Sequence, residues 1–233
     1  MKSKIKNTEY EVFNKLSEEW WDENGKFKVL HQIRQLRISY ILNQFKNKKI
    51  KNLDILDLGC GGGLVCEPLS RLGANVTGID FVKNNISVAK LHAKQKKLNI
   101  TYINDNVEKL NFTKKFDLII LFEVLEHLED WKKFLLKINK NLKTNGLIIM
   151  STINRTLISK YLAIYFAENI LKWIPKGTHN HNKFIKPEEI KKCLESYSFK
   201  QKNIRGLVFN PISYEWELSS FTKINYFCTY SKN

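Results

Sequence analysis

A short apolar run leads into a loop made almost entirely of glycine in Ile55-Leu56-Asp57-Leu58-Gly59-Cys60-Gly61-Gly62-Gly63. The apolar run predicts a buried β-strand, and residues 64–72 behind the loop have helical periodicity. Glycines let the backbone approach a ligand closely, and the start of the following helix presents free N–H groups. A strand-to-helix turn without any ligand has the same local pattern, so the surrounding sequence has to decide between the two interpretations.

The alternation of apolar runs and amphipathic segments continues to about residue 152. Further runs that predict strands are Asn75–Ile79, Thr101–Ile103, Phe116–Phe122 and Leu147–Thr152. Segments with helical period and length are Lys83–Lys97 and Trp131–Leu142. Strands that alternate with helices form parallel sheets with right-handed crossovers. We therefore expect an α/β fold with a Rossmann-like, doubly wound, mostly parallel sheet.

The 233 residues are interpreted as one domain with a cofactor-binding core at 53–152. Residues 1–50 have apolar side chains at helical spacing and are expected to form an N-terminal helical lid. An inserted helical segment is expected at 153–187, after the fifth strand. Residues 188–233 are expected to contribute a helix and strand-like runs near 203–209 and 224–230.

The next apolar run supports a nucleoside site at the glycine loop. It ends in Asp80, 21 positions after Gly59, and an acid at the end of the second strand suits a ribose diol. A dinucleotide fold would place a third glycine where Leu64 stands, and Asp57 would repel a pyrophosphate. Asn106 and Val107 follow the third strand, where a short polar side chain can reach an adenine amino group. The pattern favours S-adenosylmethionine, and hence a methyltransferase, over a dinucleotide oxidoreductase.

Composition limits the other functional classes. The net charge is +16, but it comes from 34 Lys and only 5 Arg scattered along the chain, which does not favour specific nucleic-acid binding. Attraction to an anionic membrane surface stays open. The four cysteines form no C-x-x-C cluster, which argues against a disulfide scaffold and a structural zinc site. The sequence shows no secretory signal and no apolar stretch long enough to span a bilayer.

Segments both inside and outside this core resemble the bacterial ubiquinone-biosynthesis O-methyltransferases, a family of class I S-adenosylmethionine-dependent methyltransferases. The stretches that carry the resemblance include Trp20-Trp21-Asp22, Glu123-Val124-Leu125-Glu126-His127, Asn154-Arg155-Thr156, Pro175-Lys176-Gly177-Thr178-His179 and Asn210-Pro211. Leu142-Lys143-Thr144-Asn145-Gly146 stands where such enzymes carry a Leu-Lys-Pro-Gly-Gly turn, so a turn is expected there.

The resemblance implies a substrate and a set of cofactor residues. Family members methylate phenolic oxygens of 2-polyprenyl-6-hydroxyphenol and of 3-demethylubiquinol. By the family pattern, Arg37 meets the methionine carboxylate of the cofactor, Gly59 supplies the backbone approach, Asp80 binds the ribose and Phe122 lines the adenosyl pocket. Gly61 of the glycine loop is a further candidate for cofactor binding. Two other activities remain as alternatives, a methyltransferase for another small phenol or for nucleic acid. A non-catalytic quinone-assembly scaffold is a third alternative.

Glu123, Glu126 and His127 form the one dense group of acids and histidine in the sequence. On a helix, residues spaced i, i+3 and i+4 share a face, so these three side chains could hold Mg²⁺ or Zn²⁺ and lower the pKa of a catechol oxygen. Eukaryotic members of the family are thought to bind a divalent cation here. Alternatively, His127 or Glu123 acts as a metal-free base, or the acids stabilise a helix start with His127 packed beneath.

The segment 157–174 is apolar and aromatic but is interrupted by charged residues. It is interpreted either as an inserted helix that covers the site or as an interfacial helix, with Lys160, Lys172 and Lys176 beside anionic lipid. Because the substrates of the family carry a membrane-dissolved tail, we expect a cytoplasmic protein bound peripherally to the inner face of the cytoplasmic membrane. Other ubiquinone-biosynthesis enzymes are expected partners.

Overall fold

The computed structural model describes residues 10–11, 13–45, 50–109, 112–165 and 181–232. The strands are β1 (Asp54–Leu58), β2 (Asn75–Asp80), β3 (Thr101–Asn104), β4 (Phe116–Phe122), β5 (Leu142–Ile153), β6 (Phe199–Asn210), β7 (Glu215–Ser219) and β8 (Asn225–Lys232). Among the described residues they form one sheet in the order β3-β2-β1-β4-β5-β8-β6-β7. The five strands from β3 to β5 pair in parallel, and β8, β6 and β7 add antiparallel pairs.

Helices lie against the sheet because both of its faces are apolar. Along β4, alternate side chains join different core clusters, with Leu118 and Ile120 on one face and Ile119 and Leu121 on the other. The helices are Lys28–Asn43, Cys66–Arg71, Lys83–Gln95, Trp131–Asn139, Leu157–Tyr165 and Pro187–Glu195. The predicted doubly wound, mostly parallel α/β architecture is confirmed.

The carboxyl ends of the parallel strands define one edge of the sheet, which we call the upper edge. Leu58, Asp80, Asn104 and Phe122 end their strands there. β8 runs antiparallel to β5, with Asn225 opposite Ile153, so β8 begins at the upper edge. β6 runs antiparallel to β8 and carries the β6–β7 hairpin beyond that edge.

The expected turn at 142–146 is a bulge inside β5. Leu142 pairs with Phe116 and Leu147 pairs with Leu118, so the intervening residues of β5 stand opposite a single residue of β4. Asn145 has a φ of 61°, the left-handed conformation that a tight reversal needs. Leu142 is buried on the sheet and thereby continues the strand through the bulge.

The described part of the lid consists of helical residues up to Leu16, a 3₁₀ turn at Ser17–Trp21 and the helix Lys28–Asn43. This helix packs on the sheet through Ile33, Ile38 and Ile41. Trp20 and Phe27 form a separate small cluster, with their rings stacked 4.0 Å apart. The cluster lies on the glycine loop and therefore brings the lid to the upper edge.

Candidate functional site

The glycine loop at the end of β1 adopts a conformation that only glycine accepts easily. Gly59, Gly61 and Gly63 have φ values of 75°, 53° and 90°. The N–H groups of Gly59 and Cys60 donate to the carbonyl of Ile79 at 2.7 and 2.9 Å, which ties the loop to β2. Gly59 is exposed to solvent, whereas Gly61 to Gly63 are buried. Gly59 is therefore the point at which a ligand can meet the backbone.

Asp80 lies beside this loop at the end of β2. One carboxylate oxygen, Oδ2, accepts from Gly61 N at 2.9 Å, and Oδ1 accepts from Val82 N at 2.8 Å and from Asn85 Nδ2 at 3.3 Å. Burial raises the pKa of this carboxyl, while the three hydrogen bonds act in the opposite direction. The structure thus brings the acid predicted for the ribose next to the glycine loop.

The lid covers the buried half of the loop. A Cβ atom added at Gly61 would lie 2.4 Å from the Trp20 ring, and one added at Gly62 would lie 2.5 Å from it. Trp20 Nε1 donates to Asn85 Oδ1 at 2.8 Å, and Trp21 Nε1 donates to the Gly62 carbonyl at 3.1 Å. In the sequence analysis both tryptophans entered only through the family resemblance, and Asn85 was missed. Of the two glycines predicted to approach the cofactor, only Gly59 remains open.

Arg37 and Phe122 lie on the other side of Gly59. Arg37 is 6% exposed, and its guanidinium is 5.0 Å from the centre of the Phe122 ring. Its Nη2 donates to Glu123, while its buried Nε has no hydrogen-bond partner among the described residues. A buried cation with an unused donor fits a carboxylate ligand.

Asn106 and Val107 follow β3, as predicted. Asn106 Oδ1 accepts from Glu108 N at 2.9 Å, which closes a local turn, and Val107 packs against the core. Asn104 Nδ2 donates to the Asp80 carbonyl at 3.0 Å, so this turn is anchored to the end of β2. A contact of Asn106 with adenine stays a prediction.

The prediction of a helix over Glu123, Glu126 and His127 is wrong. Glu123 has a φ of 52°, and only Leu125–His127 forms a 3₁₀ turn. The Glu123 carboxylate accepts from Arg37 and from Ser151, whereas Glu126 is buried near Thr152. Ser151 and Thr152 are successive residues of β5 and point to opposite faces of the sheet.

The two carboxylates therefore have different partners, although Glu123 is close enough to contribute to the raised pKa of Glu126. Burial raises the pKa of Glu126, and its Oε2 has no hydrogen-bond partner in the described chain, while His127 is exposed. Across the described residues no three metal-ligating side chains come close enough to hold a metal ion. The residues present do not fit the expected Mg²⁺ or Zn²⁺, because the shared helical face on which that expectation rested does not form.

The other histidines have structural contacts where they are described. His31 Nε2 donates to the Trp20 carbonyl at 2.9 Å. His92 stacks under Trp21 with ring centres 3.5 Å apart and contacts the buried Glu67. His179 lies outside the described residues.

The apolar segment after β5 is described only in part. Leu157 and Tyr161 are 71% and 72% exposed on the helix Leu157–Tyr165, and Lys160 is also exposed. Residues 166–180, including Lys172, Lys176 and Trp173, lie outside the described residues. No helix in the described part of the chain is long and apolar enough to cross a membrane.

Comparisons with known proteins found similar methyltransferases. A model of the methyltransferase domain matches residues 29–201. The chain is 45% identical to the ubiquinone biosynthesis O-methyltransferase of Pelagibacter ubique, over 98% of this chain and 99% of the relative. It is 42% identical to the protein of the same name from Rickettsia prowazekii, over 99% and 92%.

Solved structures share the fold. Magnesium protoporphyrin IX methyltransferase from Synechocystis PCC 6803 with bound SAH superposes with a TM-score of 0.71 at 19% identity, covering 98% of this chain and 100% of that one. A plantazolicin methyltransferase covers 99% and 98% with a TM-score of 0.60 at 18% identity. At these identities the likeness is evidence for the fold alone.

Proposed function

This chain belongs to the ubiquinone biosynthesis O-methyltransferase family, and we propose that it methylates phenolic hydroxyls of polyprenylated ubiquinone precursors. The substrates proposed are 2-polyprenyl-6-hydroxyphenol and 3-demethylubiquinol. The observation that carries the proposal is the arrangement of exposed Gly59 between Asp80 and Arg37 at the upper edge of the sheet. Together these groups offer a backbone approach, a ribose acceptor and a cation for a carboxylate, which suits S-adenosylmethionine.

When bound, S-adenosylmethionine supplies an electrophilic methyl carbon on a sulfonium. The chain's own residues have to align the phenolic oxygen with that carbon, because alignment can supply on the order of 7–11 kcal/mol of the barrier at best. They also have to accept the phenolic proton, since a phenol has a pKa of about 10. The oxygen–carbon bond forms as the carbon–sulfur bond breaks, and the proton goes to a base on the protein.

We assign the base role to His127. It is exposed in the turn directly after β4, at the upper edge of the sheet. Glu123 is less suited, because its two carboxylate oxygens already accept hydrogen bonds from Arg37 and Ser151. A neutral imidazole near the phenol can take the proton at neutral pH. No step of this mechanism passes through a metal ion.

The activity is tested by incubating the purified chain with labelled S-adenosylmethionine and a panel of short-chain prenylated catechols. We expect label in the phenol ether, and loss of turnover in His127→Gln with unchanged affinity for S-adenosylhomocysteine. Transfer to tRNA or DNA, or no transfer despite cofactor binding, would overturn the proposal. Wild-type turnover in His127→Gln would contradict the assignment of His127 as the base but not the proposed methyltransferase activity.

We further propose peripheral attachment to the inner face of the cytoplasmic membrane, near other enzymes of the pathway. Exposed Leu157, Ile158 and Tyr161, next to Lys160 on a chain of net charge +16, support an interfacial surface. A Leu157→Ser, Tyr161→Ser variant should bind anionic vesicles more weakly at every salt concentration. Leu91→Ser, which removes an apolar side chain that is 59% exposed on another helix, is the control. Equal binding by all three proteins would mean that general charge alone attracts the membrane.

A further inference from the structure

A continuous chain of hydrogen bonds leads from the lid to the acid at the end of β2. Trp20 Nε1 donates to Asn85 Oδ1 at 2.8 Å, and Asn85 Nδ2 donates to Asp80 Oδ1 at 3.3 Å. Asp80 Oδ2 in turn accepts from Gly61 N at 2.9 Å. Asn85 is 2% exposed and Asp80 is 6% exposed, so water does not compete for these bonds. The lid, the helix Lys83–Gln95 and the glycine loop therefore meet at one carboxylate.

The bonds leave Asp80 with little freedom. A carboxylate offers about four lone-pair sites, and three are used by Gly61, Val82 and Asn85. Two of the three donors act on Oδ1, so the unused acceptor site is on Oδ2. Asn85 thereby fixes which oxygen of Asp80 is available to a ligand.

The Trp20 end of the chain is held just as firmly. Its ring is stacked on the fully buried Phe27 and lies against Gly61 and Gly62, and its carbonyl accepts from His31. The amide of Asn85 can donate to Asp80 only in the orientation that turns its Oδ1 to the indole N–H. Loss of the indole donor would allow the amide to rotate and release Asp80.

We propose that Trp20 and Asn85 are positioning residues that orient Asp80 for the ribose hydroxyls and couple lid closure to recognition of the ribose. The inference rests on the proposed function, because it takes Asp80 as the ribose acceptor of S-adenosylmethionine. Neither residue touches the cofactor in this scheme, and each acts through Asp80. Because coupling is reciprocal, a ribose that engages Asp80 also stabilises the closed lid.

The test measures recognition of one hydroxyl. Affinities for S-adenosylhomocysteine and for its 2′-deoxyadenosyl analogue are determined by calorimetry for wild type, Asn85→Leu, Trp20→Phe and Trp21→Phe. Wild type should bind the ribose ligand about tenfold more tightly than the deoxy ligand, as expected for a hydrogen bond to a charged acceptor. Asn85→Leu should reduce that ratio to below about twofold, and Trp20→Phe should reduce it part of the way.

Trp21→Phe is the matched control, since it removes a lid-to-loop hydrogen bond that does not reach Asp80. This variant should bind both ligands more weakly by the same factor, so the ratio of the two affinities should stay at the wild-type value. Trp20→Phe retains an aromatic ring on the loop, and it tests the inference if Asn85→Leu does not fold. A wild-type ratio in both Asn85→Leu and Trp20→Phe overturns the inference, and so does a wild-type protein that binds both ligands equally. A folded wild type that binds neither ligand would instead overturn the proposed function.

Discussion

At the ends of β1 and β2, the Asp80 carboxylate is hydrogen-bonded to neighbouring groups of the protein. Around the ends of β4 and β5, several buried polar atoms have no hydrogen-bond partner in the described chain. Both oxygens of Asp80 accept from donors within the protein. Glu126 Oε2, Asn154 Oδ1 and Arg37 Nε are buried and have no hydrogen-bond partner in the described chain. Buried polar atoms are rarely left unpaired, so the second region is completed by a ligand, by water or by other parts of the chain. The ribose end of the proposed cofactor site is therefore hydrogen-bonded in advance, whereas the second region, which includes the Arg37 proposed for the cofactor carboxylate, still has unpaired buried polar atoms.

The largest expected effect tests the rigidity of the first region. Gly63→Ala should lower the free energy of unfolding by about 2–5 kcal/mol, because φ is 90° and the new Cβ would lie 2.3 Å from the Tyr102 hydroxyl. Gly73→Ala is the matched control, since φ is 88° but the nearest atom is in the flexible Lys51 side chain at 3.0 Å. Urea unfolding gives both values. Equal losses in the two variants would mean that the loop yields easily and is not organised in advance.

A second expectation concerns the acid of the first region. Asp80→Ala should weaken binding of S-adenosylhomocysteine by about 1.5–3 kcal/mol, because it removes a charged acceptor and the partner of Gly61 N. Asp54→Ala, at the opposite edge of the sheet and paired with Lys114 and Lys143, is the control and should bind normally. Calorimetry measures both. A folded Asp80→Ala protein with wild-type affinity would be incompatible with a ribose contact.

The third expectation is a pH dependence from Asp57. Burial raises the pKa of this fully enclosed carboxyl to about 7, although the Cys66 thiol donates to it at 3.2 Å. Around neutral pH the folded state therefore holds a proton that the unfolded state lacks, and stability falls as pH rises. Between pH 6 and 8 the loss from this group should be about 1.4 kcal/mol. In Asp57→Asn, the free energy of unfolding measured with urea should fall less steeply between pH 6 and 8 than in wild type. An identical pH dependence in the two proteins would contradict the raised pKa of Asp57.

The smallest expected effect separates the two glutamates. Glu123→Gln should tighten S-adenosylhomocysteine binding by about threefold, because a charged competitor for Arg37 becomes neutral. Glu126→Gln should leave that affinity unchanged, since Glu126 is buried near Thr152 and the hydrogen bond of Arg37 goes to Glu123. Calorimetry on both variants checks the difference. An equal, metal-dependent defect in both variants would restore a shared cation site.

Much of the fold could be predicted from periodicity alone. The bounds of β4 match the predicted run Phe116–Phe122, and the helix Pro187–Glu195 lies at the start of the region expected to contribute a helix. β7 was not predicted, because its residues alternate between exposed and half-buried positions and give no apolar pattern. Strands and helices can be predicted from the sequence where one face or both faces are buried, because burial selects apolar residues at regular spacing.

Only the site residues that are identified by nearby sequence could be predicted. Gly59 and Asp80 follow from strand ends and spacing, and both lie at the upper edge of the sheet. The conformation of Glu123 depends on Arg37 and Ser151, which are 86 and 28 residues away in sequence. The contact of Trp20 with Asn85 spans 65 residues. Local spacing carries no information about such partners, so the helix predicted over 123–127 was wrong.

The position of β8 has a consequence for how the chain folds during synthesis. β6 and β7 leave the ribosome before β8, yet in the described sheet β8 is the strand that joins them to β5. Until residues 225–232 emerge, the growing chain can pair β1 to β5 but leaves β5 as an open strand edge, a ready template for pairing with another chain. The late arrival of β8 therefore sets the interval during which the β5 edge of the nascent protein is open to pairing with another chain.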